Sequence, residues 1–127
     1  MTDRQLLEEF ERGTLEPFHH ADHVQVAFAY LQQYPPAEAL ARFSSGLKRL
    51  AGLKGKPHLY HETITWAYVC LIRQRMADRG PETWEAFRRA NPDLLAGKGI
   101  LDHYYRQETL ASERARTMFL FPDKRCG

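Results

Sequence analysis

The chain has 127 residues, of which 43% are hydrophobic, and its 18 Lys and Arg residues nearly balance its 16 Asp and Glu residues. A chain of this length can bury a core of its own, so we expect a single domain over residues 1–127. The formal net charge of +2 is too small to favour nucleic acid or an anionic membrane as a partner. Polar residues interrupt every apolar stretch before it could cross a bilayer, and the charged N-terminus differs from a signal peptide, so we expect a cytoplasmic protein.

Cysteine content and small size narrow the class of protein further. The two cysteines, Cys70 and Cys126, are too few for the disulfide framework of a small secreted protein, so both are expected to be free thiols. Cys70 falls in an apolar helical stretch, where we expect it to be buried. Enzymes of this size often complete their site by dimerising, so a homodimer is considered as well.

Helical periodicity recurs along the chain and strand signals are almost absent, which predicts an all-α protein, a single compact bundle of five to six helices. The first helix is expected over 2–12, with Thr2 or Asp3 as its N-cap and Gly13 at its end. The later helices are expected over 20–34, from 36 to the glycine at 52, over 59–77, over 82–90 and, in shorter pieces, over 100–121.

Two of these helices carry the clearest apolar patterns. In the second helix, Val24, Ala27, Phe28 and Leu31 recur at helical spacing, which predicts one buried face. The fourth helix contains the longest apolar segment and is therefore expected to be the central helix of the bundle. Near the end of the chain, Ser112 is expected to cap a helix over 113–119.

Five of the six histidines lie between positions 19 and 61, in two clusters that stand at the starts of predicted helices. At 100° per residue, His20 and His23 are about 60° apart around the second helix, so both imidazoles can point toward one place on the core side. His61 shares a face of the fourth helix with Ile64, which directs its ring inward as well. The spacing therefore predicts that His20, His23 and His61 converge.

Three neutral imidazoles that leave one position open for water or substrate are typical of a catalytic metal site. We therefore consider His20, His23 and His61 as ligands of a divalent metal, for which zinc, iron, nickel and copper all fit. Glu62 would move protons or complete the coordination, so that His61 and Glu62 form the catalytic pair. The function predicted in this way is metal-assisted hydrolysis or oxidation of a small molecule.

Three further residues, Asp22, Tyr60 and Thr65, are candidates for holding the ligands in place through hydrogen bonds. Their alternative roles are structural, and for Asp22 the alternative is to complement the dipole in the first turn of its helix. The other three histidines are expected to serve as a helix cap, a solvated loop residue and a packing residue.

The same histidines allow a second interpretation, in which they are hydrogen-bonded core residues at the starts of helices. The protein would then be a non-catalytic binding or regulatory module. The apolar groove between the second and fourth helices would receive a small molecule or a partner helix. Composition favours this alternative, whereas the clustering of the histidines favours the metal site.

Three motifs stand out in the sequence: F-x-H-x-x-H at 18–23, Y-H-E-T at 60–63 and S-x-x-A-R-x-x-F-x-x-P-D at 112–123. In these motifs the chain resembles a largely uncharacterised family of small bacterial all-helical proteins. The resemblance implies one site containing the three histidines and Glu62, with Arg116 and Asp123 tying the C-terminal segment onto it. That family commonly has a small hydroxyl residue before the first histidine, where this chain has His19. The resemblance implies no particular reaction.

Overall fold

The computed structural model describes residues 1–16, 18–97 and 99–124. Helix accounts for 71% of the structure and these residues form no strand, which confirms the all-α prediction. Five of the helices have seven or more residues. The α-helices are α1 (Asp3–Arg12), α2 (His20–Gln33), α3 (Pro36–Leu53), α4 (Glu62–Arg79), α5 (Trp84–Ala90), α6 (Pro92–Leu95), α7 (Gln107–Leu110) and α8 (Glu113–Thr117), and 3₁₀ turns lie at Pro57–Leu59 and Ile100–His103.

Helix α2 lies at the centre of the bundle. The predicted apolar stripe is buried, and so are Val26, Ala29 and Tyr30, which point to the other sides of the helix. Helix α2 contacts α1, α3, α4, α5 and α6. The expectation that the fourth helix is central is therefore wrong, because α4 keeps a solvent-exposed side at Cys70 and Arg73.

The helix starts follow local capping, and one start differs from the prediction. Thr2 caps α1, and Gly13 ends that helix in a left-handed conformation with a φ of 74°, as the sequence predicts. Helix α4 begins at Glu62 rather than near residue 59, because Pro57–Leu59 form a separate 3₁₀ turn. His61 is therefore the N-cap of α4 and does not lie on a face of that helix.

The structure describes one of the two cysteines, Cys70. Cys70 is a free thiol on the exposed side of α4, so the expectation of burial is wrong for that residue. Cys126 lies outside the described residues. Among the described helices, none is both long enough and apolar enough to pass through a membrane.

The chain from 118 to 124 runs without helix along α4, whereas the sequence favours helix as far as 121. The hydroxyl of the fully buried Thr63 donates to the Met118 carbonyl at 2.8 Å and accepts from the Leu120 amide at 3.2 Å. The Trp66 and Phe119 rings stack with their centroids 4.7 Å apart. Because this segment covers the side of α4 that faces away from α2, α4 is packed on two faces.

A glycine allows helices α1 and α3 to approach closely. Gly46 is buried in α3, and the Phe10 ring occupies the space that a side chain at this position would need. Phe10 also packs against Phe43 and Tyr30, with ring centroids 5.8 and 6.0 Å apart. Gly46 thus lets an aromatic cluster form between α1, α2 and α3.

The substitution Gly46→Ala should lower the free energy of unfolding by about 1–3 kcal/mol, because the new methyl group overlaps with the Phe10 ring. The matched control is Gly52→Ala on the same helix, where an added Cβ meets nothing within 4 Å. This control should stabilise the protein by about 0.4–1 kcal/mol. Urea denaturation followed by circular dichroism measures both changes, and equal effects would contradict the packing role of Gly46.

Candidate functional site

Both ring nitrogens of His61 bind the backbone. Nδ1 accepts the Ile64 amide at 3.1 Å, which caps the first turn of α4. Nε2 donates to the carbonyl of Leu110, the last residue of α7, at 2.7 Å. Because an N–H donor and a lone pair are both in use, the ring is the neutral Nε2-protonated form. His61 therefore connects the start of α4 to the end of α7.

His20 stands at the first position of α2 and also uses a nitrogen on the backbone. Its Nε2 donates to the Leu94 carbonyl at 2.8 Å, which joins α2 to α6. The ring meets Tyr68 of α4 edge-on, with the centroids 4.9 Å apart. The Tyr68 hydroxyl in turn donates to the Gly97 carbonyl at 3.3 Å. These bonds fix the His20 ring between α2, α4 and the chain that follows α6.

His23 differs from the other two because no hydrogen bond to its ring nitrogens occurs within residues 1–16, 18–97 and 99–124. Its ring stacks on Phe18 with the centroids 4.0 Å apart and lies 6.3 Å from the His20 ring. Burial, reinforced by His20 and Lys54 and opposed by Asp22, lowers the pKa of His23 from 6.5 to about 4. At neutral pH His23 is therefore an uncharged imidazole with polar nitrogens free to bind.

His23 opens into a cleft between α2, α3 and α4, which we call the histidine cleft. Its inner chamber has a volume of about 70 Å³ and is lined by His20, His23, Val24, Ala27, Phe43, Leu47, Ile64, Thr65, Tyr68 and Ile72. Its outer chamber has a volume of about 350 Å³ and is lined by His23, Leu47, Leu50, Ala51, Lys54, Leu59, Tyr60, His61, Ile64 and Thr65. Four residues line both chambers, so the two chambers are neighbours. The exposed surface of the cleft walls is mainly apolar.

The residues expected to support the ligands bind elsewhere. Asp22 accepts the His19 amide at 2.8 Å, and this bond secures the start of α2. The Thr65 hydroxyl donates to the backbone carbonyl of His61 at 2.8 Å and not to its ring. Tyr60 donates its hydroxyl to the Glu62 carboxylate, and burial together with this bond raises the pKa of Tyr60. None of these bonds involves a histidine ring.

Glu62 lines a different cleft from His20 and His23. This second, charged cleft has a volume of about 590 Å³ and is lined by Lys48, Pro57, His58, Tyr60, Glu62, Glu113, Arg116 and Thr117. Tyr60 lines both clefts. Of the expected catalytic pair, His61 therefore lines the histidine cleft, whereas Glu62 lines the charged one.

Arg116 and Asp123 do attach C-terminal parts of the chain to the rest of the fold. The Arg116 guanidinium donates to the His58 carbonyl, which fixes α8 beside the turn that precedes α4. The Asp123 carboxylate accepts the Arg106 amide at 2.9 Å and the Thr109 hydroxyl, so it holds the end of the C-terminal segment to α7. Neither residue lines the histidine cleft.

The donor atoms do not fit the expected three-histidine metal site. His61 could ligate a metal only by giving up its bond to the Ile64 amide, because its other nitrogen carries a proton donated to Leu110. His20 has committed Nε2 to the Leu94 carbonyl. Within the part of the chain that the structure describes, no three His, Cys, Asp or Glu side chains are grouped so that they could hold one metal ion.

Some residues of the cleft have no clear sequence signal. Leu47 belongs to the apolar face of α3, so its burial is predictable, but its place beside His23 depends on how α3 crosses α2 and α4. Lys54 follows the last residue of α3 and lies in a basic loop, where a solvated role is the default expectation. Its position at the outer chamber becomes visible only in three dimensions.

Replacing His61 tests whether its two hydrogen bonds to the backbone stabilise the fold. His61→Ala should lower the free energy of unfolding by about 1–3 kcal/mol, because the Ile64 amide and the Leu110 carbonyl both lose their partner. His61→Asn, which keeps a capping acceptor, should restore about 1 kcal/mol of that loss. Urea denaturation is the measurement, and His58→Ala in the exposed neighbouring turn is the control. Stabilisation of the wild type by Zn²⁺ that His61→Ala abolishes would instead restore the ligand role.

The low pKa of His23 makes stability depend on pH. As the pH falls below 6.5, the unfolded chain takes up a proton at this position that the folded protein rejects until about pH 4. Stability present at neutral pH is therefore lost on acidification, and this residue alone should cost about 2 kcal/mol between pH 7 and pH 5. His23→Gln should remove that part of the slope in urea titrations at a series of pH values. If the free energy of unfolding depends on pH in the same way for wild type and variant, the low pKa of His23 is refuted. The control is His19→Gln, at an exposed position.

Comparisons with known proteins assign no family to the chain. No family model, no curated protein and no solved structure matches it. The resemblance carried by the three sequence motifs therefore stays a prediction. The function has to be argued from the geometry of the histidine cleft.

Proposed function

We propose that the protein is a binding module for a small, largely apolar molecule, which it holds in the histidine cleft. The observation that carries this proposal is the His23 imidazole, which faces an aliphatic cleft without a hydrogen-bond partner among the described residues. Solvent reaches the ring nitrogens of His23, so a ligand that displaces this water has to offer a hydrogen bond in its place. A ligand with one polar group beside an apolar body would supply that partner.

The shape and lining of the cleft support a small molecule as the occupant. Ligand sites are concave, mostly apolar and equipped with a few polar groups, and their volumes are commonly about 300–1,000 Å³. The outer chamber, at about 350 Å³, lies in this range. Two residues of its lining, Thr65 and His61, are each fixed by hydrogen bonds to the backbone. A site whose walls are already fixed loses little entropy on binding.

Metal-assisted hydrolysis or oxidation has weaker support from the geometry. The hydrogen bonds of His61 leave it no lone pair for a metal, and Glu62 opens onto the other cleft. The neutral His23 ring lines both chambers and has no hydrogen-bond partner among the described residues. Binding without catalysis is the function that requires only what these residues provide.

Binding can be tested with N-phenyl-1-naphthylamine, a neutral apolar dye whose fluorescence rises when it leaves water. We expect saturable binding of one dye molecule per chain. Ala51→Phe, which places a ring in the outer chamber, should weaken binding at least about tenfold, because the dye loses most of its buried area. Fluorescence titration gives the dissociation constants.

The control is Ala41→Phe on the same helix, α3. Ala41 is exposed and lines a different depression, beside Glu11 and Arg42. This variant should bind the dye as the wild type does. Absence of saturable binding to the wild type would overturn the proposed function, and loss of binding only in Ala41→Phe would place the dye on the other face of α3.

A further inference from the structure

We infer that the ligand of the histidine cleft is an apolar carboxylate, whose acid group lies between Lys54 and His23 and whose apolar body extends toward Ile64 and Leu47. This inference rests on the proposed function and adds the chemical class of the ligand. It is drawn from the charge and placement of the residues that line the outer chamber.

Lys54 is the one charged side chain among the lining residues of the outer chamber in the part of the chain that the structure describes. No ion pair of Lys54 with a carboxylate occurs within the described ranges 1–16, 18–97 and 99–124. Asp22 and Glu62, which neighbour residues of the chamber lining, have other partners: Asp22 accepts the His19 amide and Glu62 accepts the Tyr60 hydroxyl. The chamber therefore offers a positive charge without a counter-ion.

His23 senses the same charge. Lys54 and His23 line the same chamber, and the positive charge of Lys54 makes the smallest of the contributions to the low pKa of His23. A neutral imidazole can donate one N–H to a carboxylate oxygen while the Lys54 ammonium binds the same carboxylate. A cationic ligand would be repelled by Lys54, and a neutral one would leave its charge unused.

The apolar part of the ligand would pack against apolar residues of the lining. Two of these residues, Leu47 and Ile64, line both chambers. The exposed Leu59, 58% accessible, lies at the outer chamber and extends the apolar surface toward solvent. A medium-chain carboxylate matches this arrangement, because its charged end meets Lys54 and its chain is removed from water.

The test compares three molecules of equal length and different charge: octanoate, 1-octanol and octylamine. Each is titrated against the complex with N-phenyl-1-naphthylamine at neutral pH and low ionic strength. We expect octanoate to bind about fivefold more tightly than 1-octanol, because this is the largest gain in affinity expected from a solvent-accessible ion pair. Octylamine should bind most weakly. The preference for octanoate should shrink as salt is added.

The variant Lys54→Gln should remove most of the preference for octanoate, measured as the ratio of the dissociation constants of 1-octanol and octanoate in the same variant. Its matched control is Lys56→Gln, an exposed lysine of the same loop that does not line the chamber. A second readout is the titration of the His23 ring by NMR. A bound carboxylate favours the protonated imidazole, so octanoate should raise the pKa of His23, whereas 1-octanol should not.

The outcomes separate this inference from the proposed function. If the dye binds and the three molecules displace it equally, or octylamine displaces it best, the carboxylate preference is refuted while the binding function stands. If the dye binds and none of the three displaces it, the ligand class is also refuted. If the dye itself fails to bind the wild type, the proposed function fails, and the inference fails with it.

Discussion

The burial of α2 on all sides is the constraint from which the rest of the arrangement follows. A helix that other helices surround cannot place polar side chains along its middle, because each would need a buried partner. Tyr30, in the middle of α2, has such a partner, because its hydroxyl donates to the Glu11 carboxylate at 3.0 Å. The other polar groups of α2 that face the interior are His20 and His23, in its first turns. The polar groups that α2 contributes to the histidine cleft therefore lie at the N-terminal end of this helix.

Backbone hydrogen bonds explain why the cleft has fixed walls. His61 joins the start of α4 to α7, and Thr63, two residues later, holds the C-terminal segment against the opposite side of α4. His20 makes a comparable bond to α6. Because these side chains bind main-chain atoms of distant segments, α4 is held in one position against α2. His23, between them, has no such bond within the described residues, which leaves it available to a ligand.

The fold class and most helices could be predicted from the sequence, because apolar spacing and caps such as Thr2 and Gly13 are local signals. The central position of α2 could not, since its additional buried residues depend on which helices surround it. For the expected metal site, the angular argument that places His20 and His23 does not apply to His61, because an N-cap lies outside the helix. Similarly, the non-helical path of 118–124 depends on Thr63 and Trp66, which are far away in sequence.

The two tryptophans occupy different structural environments. Trp66 stacks on Phe119 of the C-terminal segment, whereas Trp84 packs on Phe28 and Phe87 beside the central helix, with ring centroids 5.5 and 6.2 Å away. Each indole is therefore an optical reporter for its own region of the molecule. Detachment of the C-terminal segment would change the emission of one tryptophan and leave that of the other unaltered. Local opening and global unfolding of this small protein can thus be distinguished by fluorescence without any added label.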